Sequence, residues 1–249
     1  MHTVGIDLAA QPSRTAMAVV EWHAHCATVT ELIRPAGDDQ ILAAVHECDC
    51  AGFDVPLGWP ALFASFIADQ RDDRQLPLAD ADAWRDLAYR QTDRIVAQEF
   101  GKTPLSVSTD RIALAAIRGA TLQARLRDAG VDVSRDGSGR ILETYPAVAL
   151  MRWGITVEGP YKGTDRARSA ANLTRLVDVL MEAAPWLKLG PYEGLCRSND
   201  DAFDAVICAL IARAHQRGQC TRPTPEQQDL ARIEGWIAVP VAPLAALLV

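Results

Sequence analysis

The sequence predicts an α/β fold with a mixed five-stranded sheet flanked by helices and a helical insertion after the fourth strand. Two patterns predict this class: short apolar or alternating segments in the first part of the chain, and long amphipathic helical segments after them. The 249 residues are enough to bury a full core. We expect residues 1–249 to form a single domain.

Hydrophobic patterning predicts four strands and one helix in the N-terminal part of the chain. Residues 3–8 form a short apolar strand, and residues 15–21 and 27–33 alternate well enough to continue it as a meander. Two aspartates then cap a helix over residues 38–47. A fourth strand follows at residues 51–55.

The pattern changes after the fourth strand, where prolines separate charged segments. We expect an inserted helical lid or subdomain over about residues 57–108, with a helix over residues 80–100. Beyond the insertion the sequence predicts one further strand and three long helices. The strand covers residues 140–144, and the helices cover residues 110–129, 166–183 and 200–217.

Aspartates mark the ends of several predicted elements. Asp7 ends the first strand and Asp54 ends the fourth, while Asp201 and Asp204 share one face of the last helix. Ligands of α/β proteins gather outside the carboxyl ends of the strands, so the two strand-end acids can face one point. Purely structural interpretations also exist, with Asp7 as a strand end, Asp54 as a turn residue and Asp201 as a helix N-cap. Asp204 fits them less well, because it lies within the first turns of an otherwise apolar helix.

Carboxylates that share one site repel one another unless a cation lies between them. Mg²⁺ and Mn²⁺ prefer oxygen ligands, and a pair of such ions can activate a water and stabilise a leaving oxygen at a phosphate. We therefore predict a site for Mg or Mn, with two ions, at Asp7, Asp54, Asp201 and Asp204.

Composition limits the classes of partner and compartment. The formal net charge of −7 argues against nonspecific coating of nucleic acid, because that affinity depends on lysine and arginine, although a local basic site stays open. No apolar run reaches the roughly 18 residues of a membrane span, so we expect no membrane partner. The six cysteines lack paired CxxC spacing and no secretory signal precedes the first strand, which favours a cytoplasmic protein with free thiols.

Five motifs occur in the order VGIDLA, GFDVPLGWP, YRQTDR, LETYPAVAL and NDDAFDAVICAL, and EGWIAVP follows near the C-terminus. With this ordered set the chain resembles the predicted-nuclease family known as domain of unknown function 429, which is assigned an RNase H-like fold. It is also similar to the RuvC branch of that fold, where a first-strand Asp, a fourth-strand acid and an Asp-x-x-Asp helix bind metal. The resemblance implies those roles for Asp7, Asp54, Asp201 and Asp204. RuvC-type resolvases usually carry Glu where this chain has the shorter Asp54.

Further residues belong to the family pattern. Glu143 ends the strand before Tyr145 and is either an additional metal ligand or general base, or an ordinary strand-end acid. The arginines of the inserted helix either clamp a substrate phosphate or form a solvated charged face. The loop GPYKG is expected to close on substrate. The expected substrate-binding residues are Arg90, Asp93, Arg94, Tyr161 and Lys162.

The leading hypothesis is a metal-dependent nuclease or phosphodiesterase that acts on nucleic acid or a nucleotide through Asp7, Asp54, Glu143, Asp201 and Asp204. Two alternatives stay open. The segment GIDLAAQPSRTAMAVV resembles the phosphate-binding hairpin of actin-like kinases, although the chain lacks the internal repeat that such kinases need. The other alternative is a non-catalytic binding module with the same fold. A homodimer is left open as the assembly.

Overall fold

The computed structural model of the protein describes residues 1–74 and 81–248. Within these ranges the chain forms seven strands and ten α-helices. The strands are β1 (His2–Asp7), β2 (Ala16–Trp22), β3 (Ala27–Ile33), β4 (Cys50–Asp54), β5 (Ile141–Thr144), β6 (Leu187–Lys188) and β7 (Ile237–Ala238). The helices are α1 (Asp38–Glu47), α2 (Ala61–Arg71), α3 (Ala81–Ala88), α4 (Gln91–Phe100), α5 (Ala113–Asp128), α6 (Pro146–Arg152), α7 (Arg166–Ala183), α8 (Glu193–Ser198), α9 (Asp200–Gln216) and α10 (Gln228–Glu234).

The seven strands form one mixed sheet in the order β6-β3-β2-β1-β4-β5-β7. Strand β2 runs antiparallel to both of its neighbours, and every other adjacent pair is parallel. The α/β class and the mixed sheet are therefore confirmed, but the prediction of five strands is wrong. The two additional strands lie at the edges and contain two residues each, too few to show an alternating pattern in the sequence.

Most predicted elements lie within a few residues of the observed ones, and helices α1 and α7 have the predicted bounds. The single helix predicted over residues 80–100 is wrong: the chain breaks between α3 and α4 at Tyr89 and Arg90, and the start at Asp80 lies outside the described residues. The break has a physical cause, because the Asp93 carboxylate accepts the Arg90 backbone N–H at 2.9 Å and so begins a new helix there.

The sheet is covered on both faces. On one face, helices α6 to α9 pack against alternate residues of the strands, and α9 lies across β1, β2 and β4. On the other face, α1 and α5 enclose a second cluster that includes Phe53 of β4. A helix of this kind must bury its apolar stripe against another layer, and α9 buries nearly all of its residues.

Two glycines in register bring α9 unusually close to the sheet. Gly5 of β1 pairs with Gly52 of β4, and both face α9. A Cβ atom at Gly5 would lie 1.9 Å from the Ala205 carbonyl oxygen, and one at Gly52 would lie 2.6 Å from the Cys208 carbonyl oxygen. Only glycine permits this approach, which sets the position of the acids at the N-terminal end of α9.

Helices α2, α3 and α4 lie between β4 and α5 in the chain, where the insertion was predicted. Helix α4 packs against α10 and β7, while α2 buries none of its side chains fully. The boundaries of the lid, and the single-domain organisation, stay predictions. Across residues 1–74 and 81–248, no helix combines the length and the apolar character needed to cross a membrane.

Candidate metal centre

Asp7 and Asp54 lie side by side at the carboxyl ends of two parallel strands. They are partners in the register of β1 and β4, two residues beyond the pair Gly5 and Gly52. Because side chains two residues apart on a strand point to the same face, both carboxylates point to the face that α9 covers. Adjacent parallel strands thus place two acids at one edge of the sheet, as the sequence predicted.

Asp204 supplies the third carboxylate from the second turn of α9. The Asn199 side chain accepts the Ala202 N–H at 2.9 Å and begins the helix just before this residue. Asp204 is 1% exposed and otherwise surrounded by apolar neighbours on the same helix. One oxygen from each of Asp7, Asp54 and Asp204 lies within 4.8 Å of the other two. The three acids named from the sequence therefore converge on one point.

A lysine and a tyrosine from the loop before α7 contact this cluster. The Lys162 ammonium forms ion pairs with Asp204 and with Asp7, the latter at 3.6 Å from Oδ2. The Tyr161 hydroxyl donates to Asp204 Oδ1 at 3.0 Å. The Asn172 side chain holds the loop by donating to the carbonyl oxygens of Glu158 and Pro160, at 3.1 and 3.0 Å. The loop is thereby fixed over the carboxylates.

Burial raises the pKa of all three carboxyl groups. It raises the pKa of Asp54 to about 7, where the nearby Lys162 ammonium opposes the rise and the Asp204 carboxylate adds to it. The pKa of Asp7 lies well above its usual value, also because of burial, and that of Asp204 is raised by burial against the effect of Lys162. Partial desolvation would lower the pKa of Lys162, but the surrounding carboxylates raise it well above the usual value. One ammonium does not fully neutralise three acids.

The donor set fits a divalent cation. All the converging atoms are carboxylate oxygens, which Mg²⁺ and Mn²⁺ prefer. Asp7 Oδ2 is buried and accepts no hydrogen bond in the described part of the chain, and the Lys162 ammonium contacts it only as an ion pair at 3.6 Å. A buried oxygen of this kind normally has a partner, and a cation between the three acids would supply one.

Asp201 lies near the cluster but contacts a different group. Its Oδ2 accepts a hydrogen bond from Arg34 Nε at 2.9 Å and forms an ion pair with Arg34 Nη2 at 2.8 Å. Arg34 directly follows β3, whose carboxyl end lies at the same edge of the sheet as Asp7. Asp201 is therefore outside the group of three converging oxygens, and its role as a metal ligand stays a prediction.

Glu143, Arg90 and Asp93 form a separate buried network. Arg90 Nη1 and Nη2 each donate to one oxygen of Glu143 at 2.6 Å, and Nε and Nη2 donate to Asp93 at 3.0 and 2.8 Å. Glu143 pairs in register with Phe53, one residue before Asp54, so it points to the opposite face of the sheet. The structure does not bring Glu143 together with the three aspartates.

The two arginines of the inserted segment, Arg90 and Arg94, differ in their exposure to solvent. Arg90 is 1% exposed, and both edges of its guanidinium are already occupied by carboxylates. Its pKa is raised because Glu143 and Asp93 outweigh the effect of burial. Arg94 lies on the surface and pairs with Asp86. Arg90 and Asp93 are thus engaged with each other and with Glu143, whereas the Arg94 side chain is accessible, and the substrate-binding roles of all three stay predictions.

Two cavities flank the cluster. One, of about 200 Å³, is lined by Asp54 together with Arg90, Glu143 and Tyr145. The other, of about 660 Å³, is lined by Tyr161 and Lys162 and is otherwise largely apolar. Tyr145 was not singled out from the sequence, although it directly follows the strand that ends in Thr144. The close approach of α9 at Gly5 and Gly52 was also not predicted, because the sequence alone does not show which residue of a neighbouring strand or helix lies opposite a glycine.

The sheet and its three acids define an α/β protein with a carboxylate cluster at the carboxyl edge of the sheet. The family model described as "Protein of unknown function (DUF429)" matches residues 5–228, and the chain belongs to this family. The family resemblance of the motifs is thereby confirmed. Neither the curated proteins nor the solved structures contain a match to the chain.

Proposed function

We propose that the protein is a metal-dependent phosphodiesterase with an RNase H-like fold that hydrolyses nucleic-acid or nucleotide phosphodiester bonds. The convergence of Asp7, Asp54 and Asp204 carries the proposal. These acids stand on the first strand, the fourth strand and helix α9, which are the positions that the RuvC resemblance implies. Mg²⁺ or Mn²⁺, as one or two ions, would be bound by these oxygens and would activate water and polarise the phosphate.

The protein side chains around the cluster suit a phosphate substrate. Lys162 carries a charge, keeps 42% of its side chain exposed and lies beside the acids, so it can bind a phosphate oxygen while remaining near them. Tyr161 donates to Asp204 and orients its carboxylate. Apolar neighbours exclude water from the back of the site, which strengthens every electrostatic interaction within it.

One observation favours a second candidate, a non-catalytic binding module. The Lys162 ammonium already pairs with two of the three acids. In such a module the lysine would satisfy the acids permanently and no metal would enter. The two candidates differ in their response to metal, because a cation that binds the native state must raise the unfolding temperature.

Cleavage of defined oligonucleotides tests the proposal. We expect the purified protein with Mn²⁺ or Mg²⁺ to cut at least one of a panel of single-stranded, duplex and junction substrates, and we expect Asp7→Asn to lose more than about a hundredfold in rate. Asp39→Asn is the matched control, because the Asp39 side chain is 89% exposed and lies on α1. Full cleavage by Asp7→Asn, or no cleavage together with no effect of Mn²⁺ on unfolding, would refute the proposal.

A further inference from the structure

The smaller of the two cavities shares a wall with the carboxylate cluster. Asp54 lines the cavity of about 200 Å³ and is also one of the three converging acids. A substrate with its phosphate at the cluster would therefore place an adjoining chemical group in this cavity. The remaining lining is mainly apolar or aromatic and includes Pro104, Leu105, Ile112, Tyr145 and Ile237.

The charges of this cavity disfavour a second phosphate. Among the described residues that line it, Arg90 is the one cation, and its guanidinium is held by Glu143 and Asp93 through hydrogen bonds of 2.6–3.0 Å. Asp54 and Glu143 add negative charge. The cavity thus suits a neutral group that can donate hydrogen bonds, because an anion there would meet carboxylates and, within the described lining, only a cation that is already paired, whereas Lys162 lies at the cluster and outside this lining.

The size and the aromatic wall narrow the class of group further. A volume of about 200 Å³ lies below the roughly 300–1,000 Å³ of pockets for drug-sized ligands, so one ring system fits and a base pair does not. Tyr145 is partly buried, and its hydroxyl makes no hydrogen bond within the described residues. A tyrosine ring with a free hydroxyl can stack on a nucleobase and also bond to its edge.

We infer that this cavity binds a single unpaired nucleobase of the substrate. The inference rests on the proposed function and specifies its substrate: a single-stranded nucleic acid or a short nucleotide phosphodiester, rather than an intact duplex. The net charge of −7 agrees with this, since an acidic protein gains little from contacts along an extended duplex backbone. Specific contacts with one base would replace those backbone contacts.

Filling the cavity tests the inference. Leu105 lines it and is 44% exposed, whereas Leu114 is 66% exposed and does not line it. With Mn²⁺, we expect the wild type to cut a single-stranded 12-mer at least about tenfold faster than the same sequence in a blunt duplex. Leu105→Trp should raise KM for the single strand about tenfold, in line with the loss of one base stack. Leu105→Phe should have a smaller effect, and Leu114→Trp should have none.

Binding of free nucleosides separates this inference from the proposed function. Saturation-transfer NMR with adenosine, guanosine, cytidine and uridine, without metal, should detect at least one nucleoside on the wild type and on Leu114→Trp but not on Leu105→Trp. This binding pattern without any cleavage would refute the proposed phosphodiesterase activity and support the assignment of the cavity to a nucleobase. Equal cleavage of duplex and single strand, or unchanged KM and nucleoside binding in a folded Leu105→Trp, would overturn the cavity assignment.

Discussion

Replacing Asp54 by asparagine should make the metal-free protein more stable at neutral pH. The substitution keeps the shape of the side chain and removes one of three converging negative charges. Burial raises the pKa of Asp54 from its usual 3.8 to about 7. Between these two values the folded state binds more protons than the unfolded state, so stability falls as the pH rises through this range. Asparagine does not titrate, so the Asp54→Asn variant lacks this loss of stability.

The size of the effect follows from the pKa of Asp54. The difference between 3.8 and about 7 corresponds to about 4 kcal/mol at about 1.4 kcal/mol per pKa unit. The new amide loses part of this gain, because an unsatisfied buried polar group costs about 1–3 kcal/mol. We therefore expect a net gain of about 2 kcal/mol above pH 7, which for a chain of this size raises the unfolding temperature by about 4–8 °C.

Thermal unfolding in the presence of a chelator, measured from pH 4 to pH 8, checks this prediction. The stability difference between Asp54→Asn and the wild type should be small near pH 4, grow as the pH rises and level off above pH 7. Added Mn²⁺ should stabilise the wild type clearly more than the variant. Asp39→Asn, on an exposed side chain, should show neither effect. A variant that is less stable than the wild type at pH 8, or a difference independent of pH, would refute the reasoning.

Three further substitutions, one of them with a matched control, probe the neighbouring groups. Lys162→Met removes the ammonium beside Asp204, so urea unfolding without metal should show a loss of stability of about 2 kcal/mol, which lies between the values for exposed and buried ion pairs. The same variant should bind Mn²⁺ more tightly in a titration, because the lysine no longer competes for the carboxylates. An unchanged Mn²⁺ affinity would contradict that competition. Asp201→Asn should weaken Mn²⁺ binding less than about tenfold in calorimetry, because this side chain pairs with an arginine, and a larger loss would make it a ligand. Arg90→Met should lower the stability measured by urea unfolding by about 3–5 kcal/mol, because it leaves two buried carboxylates unpaired. The control Arg94→Met removes an exposed arginine and should change stability by less than about 0.5 kcal/mol. Equal effects of the two substitutions would contradict the burial of Arg90.

Local patterns were sufficient to predict the long elements and the meeting of Asp7 with Asp54. Both acids end apolar strands, and parallel strands present their carboxyl ends at one edge. Asp204 was also predictable, as an acid within the first turns of an apolar helix. The convergence of these three acids was predictable because the elements that carry them have a clear hydrophobic period.

The remaining features depend on three-dimensional pairing that a single sequence does not encode visibly. Glu143 shares a strand end with the site, yet its register opposite Phe53 directs it to the other face and to Arg90. Asp201 shares a helix face with Asp204, yet Arg34 at the end of β3 holds it. Strand register and the choice of ion-pair partner are tertiary properties, so a pattern along the chain predicts neither.

Anomalous scattering from crystals soaked in Mn²⁺ tests the central claim most directly. We predict a manganese peak bound by oxygens of Asp7, Asp54 and Asp204, with the Lys162 ammonium moved away from the carboxylates to make room for the ion. Crystals of Asp54→Asn soaked in the same way should lose or weaken that peak. The absence of a peak in soaked wild-type crystals, with the Lys162 ammonium still paired to Asp204, would contradict the assignment of this site to a metal.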